Sequence, residues 1–467
     1  MQTRGTDAIP LAPRPSLEQY RKLAKDLLKA SAGGDIEAVR GWARDWIERL
    51  ARLQGLSPTP EYVVGGEPRH LSWRSIEREG DAITREARDA HLLEPPPEGS
   101  TPLARAQLFV ARLHGFESWP RLVRHIEGRL ESGSPVSQFE SAADAVVTGD
   151  LPALSKLLRA NPKLVRERST REHRATLLHY VAANGHEGFR QRTPKNAVEI
   201  ARLLLESGAR PDALAEMYNY ECTTMEMLVS SVHPHAAGVQ SGLVETLLDF
   251  GAAVDGVERD GSPLMTALMF HYPKAARTLA ARGAKLDNVI SAAALGRADL
   301  VDRFVDDKGD VRPDVPLANV KWPKLPRDPK VHLGYALTWA CEFGQDDIVA
   351  LLLDKGVDAS SGDGDSAALH YAAAYGRMNL VRLLLEHGAS LEALNRWDGS
   401  VLDATIWSAF NSPVKAVDYA AVVRGLVALG ARDDLYPEMK AYVQAVLAGR
   451  RGGGYPEAGT SGSEAAP

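Results

Sequence analysis

Cysteine is nearly missing from this chain of 467 residues, with only Cys222 and Cys341 present. Two thiols cannot form a disulfide framework, so a reducing compartment is expected. Neither belongs to a Cys-x-x-Cys pair, and no His-Glu-x-x-His occurs. The acidic stretch 358–365 lacks the alternating carboxylates and distal glutamate of a calcium loop, so it reads as a solvated turn. Metal sites and cofactors are therefore expected to be none. No Gly-rich loop ends in Lys-Ser/Thr, which removes the usual phosphate cradle. No run approaches the roughly 18 apolar residues of a membrane helix. Met1-Gln2-Thr3-Arg4-Gly5 does not open a signal peptide. The net charge of −6 argues against wholesale nucleic-acid binding. With catalytic residues none, a non-enzymatic, monomeric cytoplasmic protein is expected.

What the chain does have is a recurring phrase. Its clearest copy is Ala368-Leu369-His370-Tyr371-Ala372-Ala373-Ala374-Tyr375-Gly376, followed by Leu380-Val381-Arg382-Leu383-Leu384-Leu385-Glu386-His387-Gly388-Ala389. The preceding copy runs from Ala336-Leu337-Thr338-Trp339 to Leu351-Leu352-Leu353-Asp354-Lys355-Gly356, a step of 32 from Gly356 to Gly388. Weaker copies begin near Thr176, Thr223, Ser262, Ser291 and Ser400, and one covers 142–158. A fixed period of this size marks a stack of similar units, about eight here.

These residues resemble the ankyrin repeat, with its Thr-Pro-Leu-His-x-Ala-Ala phrase, its glycine and its Leu-Leu-Leu helix closed by Gly-Ala. The resemblance implies an all-α ankyrin-repeat solenoid of paired helices with projecting hairpins, acting as an interaction scaffold for a protein partner. It also implies that His179 and His370 hydrogen-bond between neighbouring units. Independently, Ala372 and Ala373 are small enough for close helix packing, and the Leu run suits a core between units. Gly388 stands where a helix end favours a left-handed residue.

The expected organisation is a flexible leader 1–15, a helical region 16–135, repeats over 137–435, a capping helix 436–449 and a disordered tail 450–467. Insertions interrupt the repeats near 186–196, 233–240 and 306–331, where binding loops commonly sit. In the helical region, Ser16-Leu17-Glu18-Gln19 has capping-box form. The segment 104–126 reads as a packed helical hairpin rather than a DNA reader, because Trp119, Leu122, Val123 and Ile126 share one face. The phrases Arg14-Pro15-Ser16-Leu17-Glu18-Gln19 and His114-Gly115-Phe116-Glu117-Ser118-Trp119-Pro120 resemble a helical segment that precedes ankyrin arrays in some bacterial proteins.

Three surfaces are candidates for partner binding. Trp339 with Phe343, and Tyr371 with Tyr375, repeat an i, i+4 aromatic pair in adjacent units and form an expected exposed strip. Tyr218 and Tyr220 sit on one hairpin. Arg168, Arg171 and Arg174 on another suit an acidic partner. A different class of reading, a small-ligand sensor or enzyme, places a site between the inserted loops and hairpins at Arg171, His173, Arg192, Lys195 and His233.

Overall fold

The computed structural model describes residues 8–12, 14–53, 57–59, 70–95, 97–320, 324–415, 417–432 and 437–448. The expected tail 450–467 lies outside them. Contacts divide the chain into two compact units, Met1–Arg259 and Asp260–Pro467.

The first unit begins with α1 (Leu17–Ser31), α2 (Ile36–Leu53), α3 (Trp73–Asp89), α4 (Pro102–Leu113) and α5 (Trp119–Leu130). The Ser16 hydroxyl accepts the Gln19 N–H at 3.2 Å, capping α1. Apolar faces at helical spacing bring Tyr20, Leu27, Trp46, Phe109, Leu122 and Ile126 into one core. Residues 8–12 do not behave as a free leader. Ile9 and Leu11 are buried in that core, and the Ile9 N–H bonds the Leu113 carbonyl at 2.8 Å. Two short strands, β1 (Ser57–Thr59) and β2 (His70–Ser72), pair in parallel within the region expected to be helical.

Repeat packing follows in the same unit. Helices α6 (Pro135–Thr148) and α7 (Leu151–Ala160) form one pair. A 3-10 stretch, Leu177–Ala182, precedes α8 (Ala197–Glu206). The hairpin β3 (Ala215–Met217) and β4 (Tyr220–Cys222) leads to α9 (Thr224–Leu228), α10 (Val232–Ala236) and α11 (Gln240–Asp249). The 3-10 stretch stops at Ala183, which is left-handed at φ 49°, because the chain turns inward there to bury His186 and Glu187.

The second unit holds the pairs α12 (Ser262–Met269) with α13 (Pro273–Ala281), and α14 (Val289–Ala294) with α15 (Ala298–Phe304). Then come α16 (Pro329–Phe343) with α17 (Asp346–Asp354), and α18 (Ala368–Ala374) with α19 (Met378–Glu386). Helices α20 (Val401–Asn411) and α21 (Tyr419–Ala428) form the last pair, and α22 (Pro437–Leu447) packs on α21. First helices α14, α16, α18 and α20 pack side by side over buried Ala292, Ala336, Ala340, Ala372 and Ala373. Leu352 and Leu384 are buried in the second-helix layer. The insertion ends at 328 rather than 331, because Asp328 accepts the Lys330 N–H at 2.9 Å and starts α16 early. His179 and His370 bridge units as the resemblance implies. Their Nε2 atoms face the carbonyls of Cys222 at 3.4 Å and Gly399 at 3.3 Å.

Candidate functional site

Helical spacing on the long α16 brings Tyr335, Trp339, Glu342 and Phe343 to one side. The next first helix adds Tyr371 and Tyr375. The expected exposed strip is corrected at Trp339, which is 1% exposed. The preceding unit offers only Ser291 in the matching column, so the indole lies in the packed layer. Tyr335 covers it edge-on at 5.5 Å, Phe343 lies at 6.5 Å, and His271 lies at 6.5 Å. Phe343, Tyr371 and Tyr375 are half-buried.

Carboxylates hold these rings. The Tyr375 hydroxyl donates to Glu342 Oε1 at 2.8 Å, and the Tyr371 hydroxyl to Asp363 Oδ2 at 2.8 Å. Asp363 Oδ1 also accepts the N–H groups of Asp365 and Ser366 at 2.9 Å, so the 358–365 stretch is a positioned part of the site rather than a purely solvated turn. His271 Nδ1 lies 2.7 Å from Glu342 Oε2, reaching past the intervening unit. Burial alone would lower the His271 pKa, but its bond to the Glu342 carboxylate and that charge raise it. Burial, then the Asp363 charge, pushes the Tyr371 hydroxyl well above its ordinary range. Burial does the same to Tyr335, pushed up to about 12 with help from Asp363 and Asp365.

Trp407 extends this face and was missed by the sequence reading. It is 53% exposed on α20, in the column that Glu342 and Ala374 occupy in the two preceding units. The only signal was that column, read three places beyond the Tyr371 column rather than at it.

In the first unit, Tyr218 and Tyr220 are 50% and 45% exposed on the β3–β4 hairpin. Tyr218 and Asn219 are both left-handed, at φ 53° and 66°, as a two-residue primed turn requires. The Tyr218 hydroxyl donates to Asn184 Oδ1 at 2.5 Å.

The expected basic patch is corrected. Arg171 is 0% exposed and ion-paired to Glu187 through Nε and to Glu140 at 3.4 Å. Its guanidinium lies 5.3 Å from the Phe116 ring centroid, and its Nη1 donates to the His114 carbonyl at 3.2 Å. Arg168 is exposed, but its Nη1 donates to the carbonyls of Arg174 at 2.9 Å and Leu214 at 2.6 Å. Arg174 faces solvent at φ 49°.

The first insertion is likewise corrected as an outward loop. His186, Glu187 and Arg190 are buried, and Arg190 Nη2 pairs with Glu140 at 3.0 Å and Asp144 at 2.7 Å. Burial alone would raise the Glu140 and Glu187 pKa values. Arg190 foremost for Glu140, and Arg171 foremost for Glu187, overcome it and hold both carboxyls well below the usual range. Burial drives His125 and His186 down to about 3 and His179 to about 4. The residues proposed for a small-ligand site divide accordingly. Arg171 and His173 are inside this cluster, whereas Arg192, Lys195 and His233 face solvent. Among the described residues, no three His, Cys, Asp or Glu side chains are placed to hold a metal ion, and no helix is long and apolar enough to cross a membrane.

Residues 289–395 match the family profile for ankyrin repeats in 3 copies, and residues 173–216 match that for an ankyrin repeat. A 72-residue stretch, 15% of this chain, is 42% identical to the E3 ubiquitin-protein ligase hecd-1 of Caenorhabditis elegans, of which it spans only 3%. Among solved structures, the chain is similar to the human ASB11 ankyrin repeat domain at 21% identity and TM-score 0.31, covering 62% of this chain and 96% of that one. It is also similar to the ankyrin repeat domain of Bcl-3 at 24% identity and TM-score 0.27, covering 56% of this chain and 92% of that one. The fold class is thus all-α, built of ankyrin repeats, and such repeats generally mediate protein–protein interaction.

Proposed function

We propose that the protein is a non-catalytic scaffold that receives a protein partner on the first-helix face of the unit Asp260–Pro467. Phe343, Tyr371, Tyr375 and Trp407 are the contact residues. The exposed hairpin of Tyr218 and Tyr220 is a second contact surface, in the first unit. The observation that carries this reading is the half-open pair Tyr371 and Tyr375, each hydroxyl bound to a carboxylate. Rings fixed in this way lose little entropy on binding and bury much area, which is the profile of a hot spot.

The test is capture from native extract with the intact chain, the Tyr371→Ala/Tyr375→Ala pair and Trp407→Ala, each checked by thermal melting. A folded variant pair that loses a specific captured protein supports the reading, with a loss of about 2 kcal/mol or more per central ring. Undiminished capture by the folded variants refutes it.

A further inference from the structure

The half-open rings of the second unit are ringed by acid rather than by apolar rim. Glu342 lies beneath Tyr375, Asp363 beside Tyr371, and Asp365 next along the hairpin. A tyrosine that donates its hydroxyl to a carboxylate gains electron density in its ring, which strengthens the attraction of the ring face for a cation. Both half-open tyrosines are held this way. Their neighbour His271 lies nearly parallel to Tyr371, at 20° and 6.5 Å between centroids. An arginine of the chain already shows the same chemistry at the edge of this surface. Arg396 pairs with Asp365 at 2.8 Å while its guanidinium lies 5.2 Å from the Trp397 ring. Arg377 is near Glu342 but turns to its backbone carbonyl, at 3.5 Å, leaving the carboxylate to His271 and Tyr375. Asp363 has no arginine or lysine partner among the described residues.

We propose that the segment received on this face presents an arginine or lysine side chain, seated on the rings of Tyr371 and Tyr375 beside Asp363 and Glu342. This rests on the reading that the face binds a protein, and it names the chemistry of that partner. An acidic segment would meet Asp363, which no arginine or lysine neutralises among the described residues. A purely apolar one would desolvate Asp363 without a counter-charge, which costs affinity. His271 sets a pH dependence, because it faces Glu342, Asp363 and the Tyr371 and Trp339 rings, with Arg377 beyond Glu342. Protonated, it neutralises Glu342 and competes with the incoming cation. Binding therefore weakens as pH falls through the raised pKa of His271.

Short labelled Gly-Ser peptides carrying arginine, lysine, glutamate or leucine, titrated with the full chain by fluorescence anisotropy, test this. The arginine and lysine peptides are expected to bind, and the glutamate and leucine peptides to bind far more weakly. Asp363→Asn keeps an acceptor for the N–H groups of Asp365 and Ser366 but removes the charge. It should weaken the basic peptides about tenfold, as should Tyr371→Ala, whereas Tyr371→Phe, which keeps the ring, should weaken them less. His271→Gln should abolish the loss of binding at low pH. If Tyr371→Ala unfolds, Asp363→Asn and Tyr371→Phe decide the matter. Leucine peptides binding as tightly as basic ones, or basic peptides indifferent to Asp363→Asn, would overturn the inference. If extract capture depends on Tyr371 and Tyr375 while basic peptides fail to bind, the cationic partner is wrong and the interaction face stands. If capture is also indifferent to those tyrosines, both fall.

Discussion

Arg171 is a charged side chain with no access to water, and it persists there because its surroundings stand in for water. Glu187 and Glu140 supply charge, the His114 carbonyl supplies an acceptor, and Phe116 supplies a ring face. Removing one partner strands the others, so Glu187→Gln should destabilise by about 3–5 kcal/mol in denaturant melts. A loss under about 1 kcal/mol would mean that water reaches the cluster. Trp339 belongs to the same scale with the opposite chemistry, since its indole is packed among rings. Trp339→Ala should cost about 3–5 kcal/mol and Leu384→Ala about 2–5 kcal/mol, through the cavities they leave. Leu384→Ala losing less than about 0.5 kcal/mol would show that the repeat register is misplaced.

At the scale of elements, the β3–β4 hairpin carries a contradiction between stability and surface. Its turn places Tyr218 in a left-handed conformation that a non-glycine side chain normally avoids, at about 1–2 kcal/mol. Asparagine accepts that conformation more easily and is favoured in this turn. Tyr218→Asn should therefore leave the melt unchanged or raise stability by up to about 1 kcal/mol, even after the loss of the exposed bond to Asn184. If the hairpin contacts the partner, capture should fall at the same time. A variant that loses stability and keeps capture would show the ring to be structural. The first-helix layer of the second unit works differently. There the alanine-rich contacts set the spacing, and the aromatic columns occupy whatever room the neighbouring unit leaves, which is ample beside Ser291 and scarce at the surface of α18.

At the scale of the whole molecule, the first unit should be the more sensitive to acid, since in the second unit the raised His271 works against the lowered His332 and His370. His125, His186 and His179 of the first unit have folded pKa values near 3, 3 and 4, below the ordinary 6.5. Their stabilising contribution is present above about pH 6.5 and is lost as pH falls toward the folded values, because the unfolded chain takes up the protons first. Three such groups, at about 1.4 kcal/mol per pH unit each, lower stability by up to about 4 kcal/mol per unit between about pH 6 and pH 4. Glu140 and Glu187, also depressed, add to the loss below about pH 4.5. His271 of the second unit has a raised pKa, so its contribution is full below about pH 6.5 and is lost as pH rises through its folded value. Hydrogen exchange read by mass spectrometry from about pH 7 to pH 5 should show the first unit losing protection before the second. Loss of protection in the second unit first would contradict the assigned charge states.

The repeat was legible in the sequence because every unit solves the same local problem. Alanines must admit a neighbouring helix, leucines must fill the layer behind it, a histidine must reach the next hairpin, and glycine must end the helix. Those needs act between residues a few positions apart or one period apart, so they leave a periodic trace. That trace sufficed for the all-α ankyrin architecture, the buried Leu352 and Leu384, and the bridging roles of His179 and His370. The burial of Arg171 left no such trace, because it depends on Glu140 and Glu187 arriving from different elements. Trp339 and Tyr371 occupy the same place in consecutive phrases, yet one is enclosed and the other half open. Their difference lies in the size of what the adjacent units present and in the reach of His271 and Asp363. Sequence by itself therefore determined the fold and the columns from which a surface is drawn. The tertiary structure decided which members of those columns meet solvent, because exposure is a property of the neighbours a side chain acquires and not of its position in a repeat.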